Sequence, residues 1–300
     1  MCRRILISPH STVIYKCYSL VKLYSCDCDA VGRVLHSLPD GEPVCGITSL
    51  DNLLYVLRAD KKAGQIEVYD MDSYRLQGSL TIPGRGDAII ACAHHSCLYI
   101  SDITNKSIRR VGLPHSDDVT QWPVNDKPFS LSVTYTHSVL VTCDEVHKIK
   151  EFSTDGKLLR ETKLPHRVVS PWHTVQLSSG QFIVCHGDSP QKSRVCHIGS
   201  DGYIVKSYGG PKAPASHQIN VPVHLAVDED GFIFVVDLIT FRVLLLSPDL
   251  AYVRDVVSRD QLKWHPLRLS VDVQRRRLYV AVNDWKDDKY TAGRVVIVSV

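Results

Sequence analysis

Short apolar runs separated by polar turns fill residues 222 to 249, PVHLAVDEDGFIFVVDLITFRVLLLSPD. β-branched and aromatic residues dominate these runs, and Gly231 permits a turn with positive φ, so the pattern predicts strands joined as hairpins. With the next apolar run, the predicted strands are Val223 to Val227, Phe232 to Val236, Phe241 to Leu246 and Tyr252 to Val257. One four-stranded unit cannot bury both of its faces, so it needs similar units beside it.

The same unit recurs along the chain. A proline, replaced by glycine in the second unit, opens each copy, and successive openings lie 43, 42, 43, 51 and 44 residues apart. The opening residues are Pro43, Gly86, Pro128, Pro171, Pro222 and Pro266. Repeats of four strands with this period are typical of propeller blades. The sequence therefore predicts an all-β fold, a six-bladed β-propeller with four-stranded antiparallel blades.

A polar residue ends the second strand of every unit at nearly the same offset. In all six units it is an aspartate: Asp60, Asp102, Asp144, Asp188, Asp237 and Asp284. A carboxylate that recurs at one structural position favours a turn or cap role, in which it accepts backbone N–H bonds. We therefore do not interpret these aspartates as catalytic acids or metal ligands.

The fifth unit carries a more specific pattern. Its opening proline, its two apolar runs that each end in Val-Asp, its glycine turn and its later Arg-Val resemble the NHL repeat. The resemblance covers about residues 43 to 300, and the other units fit it more loosely. It implies a propeller similar to the C-terminal one of tripartite-motif proteins with NHL repeats. In that family the loop face binds proteins, in ubiquitin-ligase scaffolds, or single-stranded RNA.

The two ends of the chain are predicted to meet. The last unit stops at its third strand, VVIVSV, so we expect Gly32 to Leu38 to supply the fourth strand of blade six and close the ring. Residues 32 to 300 would then form the propeller, and residues 1 to 31 a leader or rim segment. The alternative is that residues 1 to 31 are the remnant of a seventh blade.

The composition is that of a globular chain, with 44% hydrophobic residues and a net charge of +3 over 300 residues. No apolar window has the length of a membrane span, and the first ten residues lack the apolar core of a signal peptide. Ten cysteines show no framework spacing, so we expect reduced thiols. These features favour a monomeric, cytoplasmic protein that does not associate with membranes.

Binding residues are expected on the face that carries the connectors between blades, because loops on a rigid scaffold concentrate function. Two positions after each opening residue stand Cys45, Ala88, Ser130, His173, His224 and Arg268, which we expect to ring the channel mouth. Aromatic and basic residues on this face suit phosphate or carboxylate groups. The candidate ligand-binding residues are Arg85, Trp122, Lys127, Trp172, His173, His224, Trp264 and Arg268. For the tryptophans the alternative is packing between blades, and for the histidines a hydrogen-bonded channel.

Catalytic motifs are missing from the sequence, since no G-x-S-x-G, Walker loop or H-E-x-x-H occurs. Lactonase-like propellers hold calcium with Glu and Asn, and the asparagines here do not recur at inward positions. Amidating-lyase propellers use histidines and zinc, which His173 and His224 suggest only weakly. We therefore expect a non-enzymatic module without a cofactor or metal that binds a protein partner. The alternatives are single-stranded RNA on the same face and a metal-dependent propeller enzyme.

Overall fold

The computed structural model describes residues 32–59, 64–114, 118–211, 214 and 218–300. The predicted leader, residues 1 to 31, and Asp60 lie outside the described residues. Within the described residues, the strands form six four-stranded antiparallel sheets, and each sheet is one blade. The innermost strands of the six blades contact one another in a closed ring. The predicted six-bladed β-propeller is therefore confirmed.

The strands follow the predicted repeat. Blades 1 and 2 contain β2 (Val44–Leu50), β3 (Leu53–Arg58), β4 (Gly64–Asp70), β5 (Leu76–Ile82), β6 (Ala88–Cys92), β7 (Cys97–Asp102), β8 (Ser107–Gly112) and β9 (Val119–Pro123). Blades 3 and 4 contain β10 (Pro128–Val133), β11 (Val139–Cys143), β12 (Lys148–Phe152), β13 (Leu158–Lys163), β14 (Pro171–Gln176), β15 (Phe182–His186), β16 (Arg194–Ile198) and β17 (Ile204–Gly209). Blades 5 and 6 contain β18 (Pro222–Val227), β19 (Ile233–Asp237), β20 (Arg242–Leu246), β21 (Tyr252–Val257), β22 (His265–Asp272), β23 (Arg277–Lys286), β24 (Lys289–Ser299) and β1 (Val34–Ser37).

Ring closure occurs where the sequence predicts it. Strand β1 pairs with β24 as the outermost strand of blade 6, with Val34 opposite Val298. The backbone N–H of Leu38 also donates to the carbonyl of Val295, at 2.8 Å. The last blade therefore has no open edge on its third strand, because a segment from the other end of the chain covers it.

The core lies between the blades. The buried apolar side chains of the described residues fall into six clusters, and each cluster joins two neighbouring blades. Phe182 of blade 4, for example, packs against Leu140 of blade 3. Each blade thus buries its two faces against its two neighbours, which explains why the unit occurs only in repeated form.

Local turn chemistry also follows the sequence. Gly231 has φ of +83°, and Asp228 Oδ1 accepts the N–H groups of Asp230 and Phe232 at 3.0 and 2.8 Å. Two of the recurrent aspartates, Asp102 and Asp237, take the predicted cap role. Asp102 accepts the N–H of Asn105 at 2.8 Å, and Asp237 accepts that of Asn220 at 2.9 Å.

One short helix, α1 (Arg259–Leu262), lies in the connector between blades 5 and 6. None of the helices formed by the described residues has the length and apolar character needed to cross a membrane. The cysteines among the described residues are free thiols, and all of these except Cys45 are buried.

Candidate binding site at the channel mouth

A β-bulge shapes the start of the first strand. In the described strands of blades 1, 3, 4, 5 and 6, the pairing of the first strand with the second shifts by one residue next to the opening position. A bulge re-aims a side chain out of the regular alternation. In blade 2, Asp87 stands at the corresponding place before β6. The six residues at this place are Cys45, Asp87, Phe129, Trp172, Val223 and Leu267.

All six of these residues line one cavity of about 460 Å³ at the mouth of the channel. The same cavity is also lined by residues from the loops and strand ends around it: Ala59, Arg85, Ile103, Leu238, Asn283 and Tyr290. Arg268 reaches it from below the bulge position. The mouth is therefore mostly apolar and aromatic, with a few polar groups contributed by blades 1, 2 and 6.

The predicted ring of residues needs one correction. Ala88, Ser130, His173, His224 and Arg268 occupy equivalent paired positions in the first strands of their blades. In blade 1 that position belongs to Gly46, because the strand pairing begins at Val44 and makes Cys45 the bulged residue. The ring position in blade 1 is therefore three residues after Pro43, one more than the offset of two predicts. The ring has small residues on blades 1 to 3 and large polar ones on blades 4 to 6.

The two ring histidines lie against each other below the mouth, with their ring planes tilted by 39°. The ring centroids of His173 and His224 are 4.0 Å apart, and His173 Nε2–H donates to the carbonyl of Leu131 at 3.2 Å. Burial, with a contribution from the charge of Arg268, lowers the pKa of His173 to about 3. Burial also lowers the pKa of His224 well below its ordinary value, aided by His173 and Arg268. Both imidazoles are therefore neutral at pH 7.

A metal site is not formed by this pair. Among the described residues, no group of three or more His, Cys, Asp or Glu side chains is arranged to hold a metal ion. Cys45, the third candidate metal ligand, is the bulged residue of blade 1 and does not belong to the ring. The arrangement instead fills the lower channel with two uncharged rings.

Arg268 is the charged member of this ring and lines the cavity. Its Nη1 donates to the carbonyl of Leu267 at 3.0 Å, and its buried Nε has no hydrogen-bond partner. Its guanidinium carbon lies 6.0 Å from the centre of the Phe129 ring. Within the described part of the chain, no carboxylate lies within ion-pair distance of it. Burial lowers the pKa of this guanidinium.

Arg85 forms the outer edge of the mouth, where its side chain is 59% exposed. Its Nε pairs with Asp87 Oδ1 at 2.9 Å, and Asp87 Oδ2 accepts the N–H of Ile103 at 2.8 Å. Both carboxylate oxygens of Asp87 are therefore already engaged, one by a side chain and one by the backbone.

The candidate tryptophans divide between the mouth and the core. Trp172 lies at the mouth, where Nε1–H donates to the carbonyl of Gly187 at 2.8 Å and the indole meets Phe129 edge to face. Trp122 is buried between blades 2 and 3, where it packs against Tyr99. Trp264 lies under the guanidinium of Arg294, 4.3 Å away. Trp122 and Trp264 thus follow the packing alternative.

The structure brings three of the candidate residues together in the cavity: Arg85, Trp172 and Arg268. His173 and His224 lie beneath them, whereas Trp122, Lys127 and Trp264 lie outside its lining. Sequence reasoning missed Phe129, Asn283 and Tyr290. The signal for Phe129 was present, since apolar or aromatic residues follow the opening prolines directly in blades 3 to 6.

A row of aromatic side chains extends from the mouth across blades 6 and 5. Trp285, 46% exposed, meets Tyr290 at 4.7 Å between ring centroids, and both lie on the long hairpin of β23 and β24. The row continues through His265 to Phe241, whose ring lies 4.8 Å from the Arg259 guanidinium. It provides a partly exposed aromatic surface beside the cavity.

Several charges of this face occur in pairs of opposite sign, whereas Arg259 and Arg268 form no ion pair with a described residue. Among the described residues, the pairs are Lys127 with Glu145 at 2.5 Å, Lys192 with Asp188 at 3.3 Å, Lys286 with Asp284 at 2.7 Å and Arg85 with Asp87 at 2.9 Å. The face therefore has a mixed charge and not a continuous positive surface.

Sequence comparison places the chain in no family. No protein-family model matches it, and no curated protein matches it either. The NHL resemblance therefore stays a prediction.

Solved structures, in contrast, share the fold. Streptogramin B lyase aligns with a TM-score of 0.60 and 13% identity, over 87% of this chain and 85% of the other. Virginiamycin B lyase from Staphylococcus aureus aligns with 0.60 and 11%, over 87% and 98%. The WD40 propeller domain of Doa1 aligns with 0.58 and 12%, over 89% and 96%. Lyases and a WD40 domain are thus similar to this chain to the same degree, and the likeness shows that its fold is that of a β-propeller.

Proposed function

We propose that this protein is a non-catalytic interaction module that binds a protein partner across the channel mouth and the aromatic row beside it. The observation that carries the proposal is the cavity itself, an apolar and aromatic depression to which all six blades contribute. Protein interfaces typically place apolar anchors at the centre and polar groups at the rim. Here Phe129 and Trp172 are central, and paired charges surround them.

Single-stranded RNA is the second candidate for the same face. Exposed Trp285 and the Arg259–Phe241 pair are groups on which bases can stack. RNA affinity depends, however, on cations that neutralise phosphates, and four basic residues of this face are already paired with carboxylates. The mixed charge favours a protein over RNA.

Site-specific photo-cross-linking tests the protein proposal. A photo-reactive phenylalanine analogue replaces Trp285 on the mouth face or Tyr203 on the opposite face, where the side chain is 74% exposed. In extracts of cells that express the protein, we expect a discrete cross-linked partner from position 285 only. An excess of unlabelled wild-type protein should compete with it. Equal labelling from both positions, or labelling that does not saturate, would contradict the proposal.

Salt-dependent binding of random single-stranded RNA tests the alternative. We expect no retention at low ionic strength. Retention that falls steeply with salt, and that is lost in the variant carrying Arg85→Glu and Arg268→Glu, would replace the protein partner by RNA.

A further inference from the structure

The strongest unused feature of the molecule is the guanidinium of Arg268. It lies at the floor of the mouth cavity, below the bulge position of its own blade, and it spans the channel towards Phe129. Within the described residues, its one hydrogen bond goes to the carbonyl of the preceding residue, and its Nε is buried without a partner there. A half-buried charge with a buried, unpaired N–H is costly when no counter-ion is present. A ligand that supplies the counter-ion removes part of that cost and binds more tightly for it.

The neighbours of Arg268 do not supply this charge. Asp87, the carboxylate that lines the same cavity, is held by Arg85 and by the N–H of Ile103. His173 and His224 below are neutral rings, and the thiols of Cys45 and Cys185 are protonated, because burial raises their pKa to about 11 and about 12. The described surroundings of Arg268 therefore leave its charge unbalanced.

The charge of the cavity also selects the type of anion. Arg85 and Asp87 cancel each other, which leaves the single positive charge of Arg268. A carboxylate carries one negative charge and matches the guanidinium fork, whereas a phosphomonoester carries more charge than the site balances. The apolar walls formed by Phe129, Trp172 and Leu267 suit a hydrocarbon side chain next to that carboxylate.

We propose that the mouth cavity is a carboxylate-binding site in which Arg268 pairs with a peptide carboxylate while an adjacent apolar side chain packs against Phe129 and Trp172. This inference rests on the proposed protein-binding function and specifies the chemistry of the partner. The carboxylate can belong to a chain terminus or to an Asp or Glu side chain. Both sources present the same group to the guanidinium.

Three matched peptides test the inference on the purified chain: acetyl-Ala-Ala-Phe with a free carboxylate, its C-terminal amide, and acetyl-Ala-Glu-Phe amide. The indole N–H resonance of Trp172 reports binding at the site. We expect the free acid or the Glu-containing peptide to bind at millimolar concentration, at least tenfold more tightly than the neutral amide. The two acidic peptides distinguish a chain terminus from a side chain.

Charge variants complete the test. Arg268→Gln should reduce acid binding at least tenfold, whereas Lys206→Gln should not change it. This control variant removes one positive charge from β17, the outermost strand of blade 4. Equal affinity for acid and amide in the wild type would overturn the proposal without any variant. Acid binding that persists in folded Arg268→Gln would overturn it as well.

The two experiments fail separately. The titration uses short peptides and the chain alone. Its failure would therefore remove the carboxylate site, but a partner cross-linked at position 285 would still support the proposed protein-binding function. Peptide binding without a saturable cross-link would keep the carboxylate site and remove the macromolecular partner.

Discussion

Arg268 of blade 6 reaches across the channel mouth to Phe129 of blade 3, with 6.0 Å between the guanidinium carbon and the ring centre. In a ring of six blades these two are opposite each other. A single side chain therefore spans the mouth, and it does so without an ion-pair partner among the described residues. A charge held in this way costs stability.

The first prediction concerns the effect of the Arg268 charge on stability. Arg268→Met should raise the free energy of unfolding by about 1 kcal/mol, because it replaces a half-buried charge without an ion-pair partner by an apolar side chain. Arg109→Met is the comparison, since Arg109 is more deeply buried but pairs with buried Asp102 at 2.5 Å. It should lower the free energy of unfolding by about 3–5 kcal/mol. Urea unfolding measures both, and similar losses in the two variants would show that Arg268 has an internal partner.

The second prediction concerns acid stability. The pKa of His173 is about 3 in the folded protein and 6.5 as its ordinary value, so the unfolded chain binds more protons between these two pH values. Stability should therefore fall as the pH falls from 6.5 towards 3. In the variant with His173→Gln and His224→Gln, the slope should be shallower by up to about 1.4 kcal/mol per pH unit for each histidine.

Urea unfolding at several pH values checks this slope. His186 also has a pKa lowered by burial, to about 4, so some acid sensitivity should persist in the double variant. Parallel curves for the variant and the wild type would show that folding does not change the pKa of the channel histidines.

The third prediction concerns the contact between blades 6 and 1. The buried side chain of Asn283 accepts the N–H of Val44 at 2.8 Å and donates to its carbonyl at 2.9 Å. Asn283→Leu leaves both backbone groups without these partners and should cost about 2–4 kcal/mol. Gln77→Leu on exposed β5 changes the same kind of group and should cost less than about 0.5 kcal/mol. Thermal unfolding compares the two, and an equally small effect would contradict the described contact.

The fourth prediction uses two glycines with similar backbone conformation. Gly156 and Gly180 have φ of +86° and +81°. A Cβ at Gly156 would lie 2.6 Å from Cγ of Trp122, whereas a Cβ at Gly180 would meet no atom within 4 Å. Gly180→Ala should therefore cost about 1 kcal/mol for the backbone alone, and Gly156→Ala clearly more. Equal losses of stability would mean that Trp122 does not pack under this turn.

Much of the fold could be predicted from the sequence because it depends on local and periodic features. The apolar runs gave strands close to those observed, as Tyr252–Val257 shows, and the missing fourth strand of blade 6 indicated its replacement by Val34–Ser37. The candidate site was predicted less well. Trp172 and Arg268 lie in the cavity, but Trp122 is buried in the core and Lys127 is paired with Glu145 outside the cavity.

The amino-acid sequence by itself determined the number of blades, their order and the closure of the ring, because hydrophobic period and turn residues are properties of the chain. Only the tertiary structure decided which side chains meet at the mouth. A bulge shifts the pairing at Cys45 by one residue, and the isolation of Arg268 depends on what the five other blades place around it. Both are set by hydrogen bonds and packing between distant segments, which spacing along the chain does not encode.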